Sequence, residues 1–108
     1  MTDRETIGSR LEAAASLMDG VTTWAEGDDV SWIVDGIPFA VLTRAGVELR
    51  LDPPIADAAA RTPDTDSSPR GAEWVRFHPR ILDGPAVDRL DAWFALARRR
   101  AAQSGSGV

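Results

Sequence analysis

The chain has 108 residues, a formal net charge of −5, and 44% hydrophobic and 27% charged residues. This length and ordinary globular composition predict one domain, which we place at residues 1–102, followed by a disordered tail at 103–108. The chain contains no cysteine, no lysine and a single histidine, which excludes disulfides, thiolate metal sites, a Schiff-base lysine and a metal site built on two histidines.

The composition also bears on compartment and partners. Without cysteine, a bilayer-length apolar run or an apolar signal segment, the chain is expected to be cytoplasmic, with no membrane partner. Residues 1–54 carry ten acids and four arginines, whereas residues 55–108 carry seven acids and eight arginines. The acidic total argues against strong sequence-blind binding to nucleic acid, although a local basic patch fits the second half. We expect no cofactor and no metal.

The first elements are a helix and a short strand. A helix is predicted over residues 3–19, ending at Gly20, because its apolar residues recur at helical spacing. The stripe consists of Ile7, Leu11, Ala14, Ala15 and Met18. Residues 21–25 are β-prone, and the following Glu-Gly-Asp-Asp segment, residues 26–29, is typical of a turn.

Residues 30–51 carry the clearest pattern, two hairpins in succession. Asp35-Gly36 predicts a two-residue turn of the primed type. Its expected pairs are Val34 with Ile37, Trp32 with Phe39 and Val30 with Val41. The next connection is Arg44-Ala45-Gly46. A two-residue turn there would place Val41 against Arg50, so we favour a three-residue loop with Gly46 in the left-handed conformation. The loop's expected pairs are Thr43 with Val47, Val41 with Leu49 and Phe39 with Leu51.

The second half predicts a short helix, a long polar loop, a strand and a final helix. Asp52 and Pro53 favour a helix start, and the Ala-rich helix extends to Arg61. Residues 62–72 form the long loop, residues 73–78 alternate as a strand, and a helix from Asp83 to about Ala102 closes the domain. The order α-β-β-β-β-α-β-α predicts an α+β two-layer sandwich, an antiparallel meander of about five strands with helices on one face.

The alternation that predicts the core also predicts the composition of the opposite sheet face. That face should contain Ser31, Ile33, Ala40, Leu42, Glu48, Arg50, Trp74, Arg76 and His78. We single out Arg50, Trp74, Arg76 and His78 as candidate binding residues, because tryptophan and arginine are enriched in binding hot spots and also suit stacked bases or phosphates. In the alternative interpretation, Trp74 packs under the 62–72 loop and the arginines pair with Glu48 or Glu73.

Three functional hypotheses follow from this face. The first is a non-enzymatic binding or interaction module, whose ligand is a protein or nucleic acid. The second is a structural homodimer built on the same face. The third is a small-ligand enzyme that uses His78 with a serine or aspartate from residues 64–70. Nothing in the spacing marks a catalytic partner for His78, and we assign no catalytic residue.

The pattern resembles the small MmcQ/YjbR-like proteins over roughly residues 5–102. The matching segments are Trp-Ile-Val-Asp-Gly-Ile-Pro-Phe (32–39), Val-Glu-Leu-Arg-Leu-Asp-Pro (47–53) and Glu-Trp-Val-Arg-Phe (73–77), set between the first and last helices. The chain is nearly as similar to a related family of small domains named after luciferase. The first resemblance implies an α+β domain and a DNA-binding role, and the second implies no light-producing chemistry here.

Overall fold

A computed structural model describes residues 3–105 and shows three helices and one six-stranded antiparallel sheet. The elements are α1 (Asp3–Ser16), β1 (Val21–Glu26), β2 (Asp29–Val34), β3 (Ile37–Thr43), β4 (Gly46–Arg50), α2 (Pro53–Ala60), β5 (Thr65–Ser67), β6 (Trp74–Phe77) and α3 (Gly84–Gly105). The predicted α+β class and meander are confirmed. α3 continues past the expected end near Ala102, and residues 106–108 of the predicted tail lie outside the described part.

The core lies between the sheet and its helices. α3 packs across β2, β3 and β4, while α1 lies against α3 and β1, and α2 against β5 and β6. Phe94 of α3 is fully buried, with its ring centroid 5.7 Å from that of Trp32 and 5.2 Å from that of Phe39. The predicted stripes of α1 and α3 supply Ile7, Leu11 and Leu90 to the same core. No helix of the described chain is both long and apolar enough to cross a membrane.

The strand order is β1-β2-β3-β4-β6-β5, which includes one strand that the sequence does not predict. β5 lies within the predicted 62–72 loop and pairs with β6. Its three residues, Thr-Asp-Ser, are too few and too polar to show an alternating apolar pattern. The long connection between α2 and β6 is therefore an edge strand followed by a shorter loop at residues 68–73.

The β2–β3 hairpin has the predicted turn but a different register. Asp35 and Gly36 have φ of 52° and 78°, as a type I′ turn requires, and Val34 faces Ile37 as expected. Beyond Ile33, which faces Pro38, a bulge leaves Phe39 without a partner. The remaining pairs are Trp32 with Ala40, Ser31 with Val41 and Val30 with Leu42. The predicted Trp32–Phe39 and Val30–Val41 pairs are wrong. Proline has no amide N–H to donate to the ladder and is tolerated in a sheet at bulges. This explains why the bulge lies directly beside Pro38.

The bulge also changes which side chains share a face. One extra residue shifts the alternation, so that Ala40 and Leu42 join the core and Val41 lies on the opposite face with Ser31. The predicted faces of these three β3 residues are therefore wrong. β4 follows the shifted pattern: Arg44 and Ala45 form a two-residue turn, so the expected three-residue loop is wrong, and so is the Val41–Arg50 pair expected for a two-residue turn. The observed pairs are Thr43 with Gly46, Leu42 with Val47, Val41 with Glu48 and Ala40 with Leu49.

Candidate functional site

The sheet face opposite the helices carries one continuous row of directly paired residues. The row crosses all six strands in the order Trp24, Ser31, Val41, Glu48, Arg76 and Asp66. Directly paired residues lie on the same face of an antiparallel sheet, within contact distance of one another. We call this side of the sheet the open face, because the three helices pack on the other side.

Glu48 is the centre of a buried polar network on the open face. Only 2% of Glu48 is exposed. Its carboxylate accepts hydrogen bonds from Ser68 Oγ at 2.6 Å, Arg70 Nε at 2.6 Å and Arg76 NH2 at 3.2 Å. Two cations and a hydroxyl thereby satisfy a buried charge that would otherwise be strongly unfavourable.

The surroundings of Glu48 act on its pKa in opposite directions. Burial alone would raise the pKa, but the hydrogen bonds from Ser68 and Arg70 and the charges of Arg70 and Arg76 outweigh that effect. The pKa of Glu48 therefore lies below its ordinary value, and the side chain is a carboxylate at neutral pH. The network is a fixed ionic structure under physiological conditions.

The 68–73 loop is held over β4 and β6 by this network. Ser68 is buried, its amide donates to the Trp74 carbonyl at 3.0 Å, and its hydroxyl accepts from the Arg70 amide at 3.1 Å. The Arg70 guanidinium carbon lies 5.6 Å from the centroid of the Trp74 ring, in cation–π geometry. Arg70 thus binds Glu48 and covers Trp74 at the same time.

The four predicted binding residues all lie on the open face or at its border, and each has a partner within the chain. Arg50 Nε donates to Glu73 at 3.1 Å, which lowers the pKa of Glu73, and Arg76 pairs with Glu48. Trp74 is half-buried beneath Arg70, and His78 Nε2 lies 2.7 Å from Asp66 Oδ2. These are the pairings of the alternative interpretation, in which the arginines bind Glu48 and Glu73. Whether the four residues also bind a partner stays a prediction.

A groove lies on the open face between Arg70 and the β1–β2 turn. The cavity of about 470 Å³ is lined by Glu26, Asp29, Ser31, Val41 and Arg70. Ser31 and Val41 are directly paired at its centre. Trp24, which is 61% exposed, lies on the same face next to Ser31 in the row. The groove therefore combines a small polar and apolar floor with a charged rim, and an exposed indole lies beside it.

The rim nearest the β1–β2 turn is acidic. Glu26 and Asp29 face each other as the last pair before the turn. Like charges directly opposite each other in a sheet are destabilising. Among the described residues, neither carboxylate has an ion-pair partner, whereas the neighbouring Asp28 binds Arg44 at 2.6 Å. A positive charge placed in the groove would relieve this repulsion.

The hypothesis of an enzyme based on His78 gains one contact but lacks a nucleophile. His78 does lie against a carboxylate of the predicted loop segment, Asp66. However, no hydroxyl of the described chain hydrogen-bonds the His78 ring, and the Ser68 hydroxyl donates to Glu48 instead. A nucleophilic mechanism requires a hydroxyl or thiol within hydrogen-bond reach of its base. The contact alone therefore defines no catalytic site.

A larger cavity lies elsewhere, at the start of α3. It encloses about 650 Å³ and is lined by Pro63, Asp64, Arg80, Ile81, Asp83, Pro85, Ala86 and Arg89. Its Arg80 lies 3.5 Å from Asp64, and its lining holds two acids and two arginines, so the charges there balance. It contains none of the predicted site residues. We place more weight on the smaller open-face groove because its two acids face each other and have no ion-pair partner among the described residues, while its Arg70 is bound to Glu48. Over residues 3–105, no group of three or more histidine, aspartate or glutamate side chains is arranged to hold a metal ion.

Comparison with known proteins gave no match to a protein-family model, a curated protein or a solved structure. The resemblance to the MmcQ/YjbR-like proteins therefore stays a prediction, and the site has to be interpreted from its own chemistry.

Sequence reasoning missed four groove residues for different reasons, one of them Val41, whose predicted face is wrong because of the bulge. The sequence pattern predicts a turn over residues 26–29, whereas the turn itself is only Gly27 and Asp28, and the flanking Glu26 and Asp29 are paired strand residues. Arg70 belongs to a loop whose contact with Glu48 spans 22 positions, a distance over which no local pattern operates. The one available signal was Glu48 itself, a single charge between the apolar Val47 and Leu49.

Proposed function

We propose that this protein is a non-enzymatic binding module whose open face accepts a protein segment that carries a basic side chain. The observation that carries the proposal is the pair Glu26 and Asp29, two facing carboxylates on the rim of a 470 Å³ groove that have no ion-pair partner among the described residues. An incoming guanidinium or ammonium group placed between them would form charge-assisted hydrogen bonds. The exposed Trp24 indole beside the groove adds a surface for cation–π contact.

The charges of the face favour a protein ligand over nucleic acid. Nucleic-acid binding requires cations that are free to neutralise phosphates. On the open face, Arg50, Arg70 and Arg76 each bind a carboxylate, and the groove rim adds two more acids. A phosphate backbone would have to displace these ion pairs and also approach the unpaired carboxylates. DNA is therefore the less favoured ligand, and we use it as a comparison ligand in the experiment below.

The proposal is tested by proton–nitrogen correlation spectra of the labelled protein during titration. The probe is a capped hexapeptide with two arginines, and the comparison ligands are the same peptide with glutamates in their place and a short DNA duplex. We expect the arginine peptide to shift the Trp24 indole and the amides of Glu26, Asp29 and Ser31. A single pair of exposed charges should give weak binding, with a Kd of about 1 mM, that weakens further as salt rises.

The matched variant is Glu26→Gln together with Asp29→Asn, which keeps the shape of the rim and removes its charge. We expect it to bind the arginine peptide severalfold more weakly and to retain the wild-type fold. Equal binding by wild type and variant would contradict the proposal. If the DNA duplex shifts Trp74 and Arg76 while the arginine peptide shifts nothing, the open face binds nucleic acid instead. Self-association through this face would broaden the same signals as protein concentration rises, without any ligand.

A further inference from the structure

The two edges of the sheet differ in how they are protected. β5 ends the sheet on one side with only three residues, one of them Asp66. β1 ends it on the other side with six residues, Val-Thr-Thr-Trp-Ala-Glu, five of which are exposed. Natural edge strands are usually blunted by short length, proline, lysine or a bulge. β1 has no proline, lysine or bulge, its one charged residue is Glu26 at its end beside the turn, and it is rich in the residue types that favour strands.

The hairpin geometry identifies which backbone groups β1 presents outward. Glu26 and Asp29 close a two-residue turn with Gly27 at φ 61°, and such a closing pair is hydrogen-bonded. Hydrogen-bonded and non-hydrogen-bonded pairs alternate along an antiparallel ladder. Thr22 and Trp24 therefore bond to β2, while the N–H and C=O groups of Val21, Thr23 and Ala25 point away from the sheet. Within residues 3–105, no further backbone hydrogen bond reaches that outer edge.

We propose that two copies of this chain pair through β1, antiparallel, about a two-fold axis that passes between their Thr23 residues. This register satisfies all the outward groups, because Thr23 faces Thr23 of the second copy and Val21 faces Ala25 in both directions. It forms about six backbone hydrogen bonds, two for each hydrogen-bonded pair. The pairing is isologous and therefore closes as a dimer.

The side chains of β1 are self-complementary in this register. On the open face, Trp24 lies opposite Thr22 of the second copy and diagonal to its Trp24, within reach of an aromatic side chain. The one charged residue of the strand, Glu26, falls opposite Gly20, so no like charges face each other across the seam. Addition of β1 to the β5 edge of another copy is disfavoured, because β5 offers half the length and a carboxylate. The observations therefore favour a second copy as the occupant.

The dimer would join the two six-stranded sheets into one continuous sheet of about twelve strands, with both open faces on the same side. The two grooves would then flank the central tryptophans. This inference rests on the edge of β1 and is independent of the groove ligand, because the dimer needs neither Glu26 nor Asp29 to be bound.

The test is the molar mass by light scattering and sedimentation over a wide concentration range. We expect the mass to rise from 11.6 kDa towards twice that value. Ala25→Pro removes one outward N–H but no bond to β2, since Ala25 and Val30 form a non-hydrogen-bonded pair. The variant should dimerise at least about tenfold more weakly, which is 1.4 kcal/mol. Ala25→Val, which keeps the amide, should dimerise like wild type.

Amide hydrogen exchange of the wild-type protein gives an answer even if the proline variant folds poorly. The amides of Val21, Thr23 and Ala25 should become protected as concentration rises, while those of Thr22 and Trp24 are protected throughout. A mass that stays monomeric at every concentration overturns the proposal. A monomeric mass is also the result expected if the β1 edge pairs with a strand of another protein instead of a second copy. A dimer that forms equally well in Ala25→Pro, with no new protection in β1, overturns it too.

Discussion

Gly46 lies where the fold leaves no room for a side chain. Its φ is +142°, and a Cβ at this position would lie 2.6 Å from the Phe77 carbonyl oxygen and 3.1 Å from His78 Cβ. The first contact is to backbone of β6, which cannot move without disturbing the β4–β6 ladder. Glycine at position 46 therefore allows β4 to approach β6 where the strand begins.

We expect Gly46→Ala to lower the free energy of unfolding by about 2 kcal/mol or more, from backbone strain and the clash together. Gly27→Ala is the matched control, because Gly27 also has a positive φ, of 61°, but has nothing within 4 Å of its added Cβ. Gly27→Ala should lower the free energy of unfolding by about 1–2 kcal/mol, from backbone strain alone. Urea unfolding measures both. A loss in Gly46→Ala no larger than in the control would show that the close approach to Phe77 is unimportant.

Glu48 links protonation to stability. Its pKa is lowered in the folded protein, so its stabilising effect is present above the ordinary glutamate pKa and is lost as pH falls through the folded value. We therefore expect the Glu48→Gln variant to lose less stability than the wild-type protein when the pH falls. At neutral pH the variant should be less stable by about 1–3 kcal/mol, because Arg70 and Arg76 lose their carboxylate.

Urea unfolding at neutral pH and below pH 4 measures this effect. Glu12→Gln is the control, because Glu12 is an exposed carboxylate of α1 and its substitution should cost less than about 0.5 kcal/mol at neutral pH. The role assigned to Glu48 is contradicted if Glu48→Gln is as stable as wild type at neutral pH and loses as much stability in acid.

At the scale of elements, local sequence signals predict most of the fold. They fail where a contact between distant residues determines the register or the facing of a strand. The Asp35-Gly36 turn and the stripe of α3 depend on neighbouring residues and could be derived from the sequence. The bulge at Phe39 could not, because the choice between Phe39 and Ala40 as the partner of Trp32 depends on packing against α3. That one residue also reverses the predicted faces of Ala40, Val41 and Leu42. The same limit applies to Arg70, whose place on the open face is set by Glu48 in a distant strand.

The α3–sheet contact should carry much of the stability of the domain. Phe94 packs its ring against Trp32 and Phe39 and is fully buried. We expect Phe94→Ala to cost about 3–5 kcal/mol, a large part of the total stability of a domain this size. Leu96→Ala, two positions along the same helix and 36% exposed, should cost less than about 1 kcal/mol. Equal thermal unfolding temperatures for the two variants would contradict this packing.

At the scale of the whole molecule, the sheet has one face for the core and one available for recognition. Helices cover the first, and the 68–73 loop covers only the β4 and β6 part of the second. What stays accessible lies over β1 and β2, on the acidic half of the chain, whereas Val41 of β3 is only 3% exposed. The sequence predicts this face and the four residues Arg50, Trp74, Arg76 and His78 near it, but the internal pairing of their charges moves our proposed contact to Glu26 and Asp29.

The most direct test of this account is the titration of labelled wild-type protein with the arginine hexapeptide, followed at the Trp24 indole and the Glu26 and Asp29 amides. We predict saturable shifts at these three positions that diminish with salt and are much reduced in the Glu26→Gln, Asp29→Asn variant. Unchanged signals at these positions throughout the titration, or identical shifts in wild type and variant, would contradict the claim that the open face is a binding surface for basic protein segments.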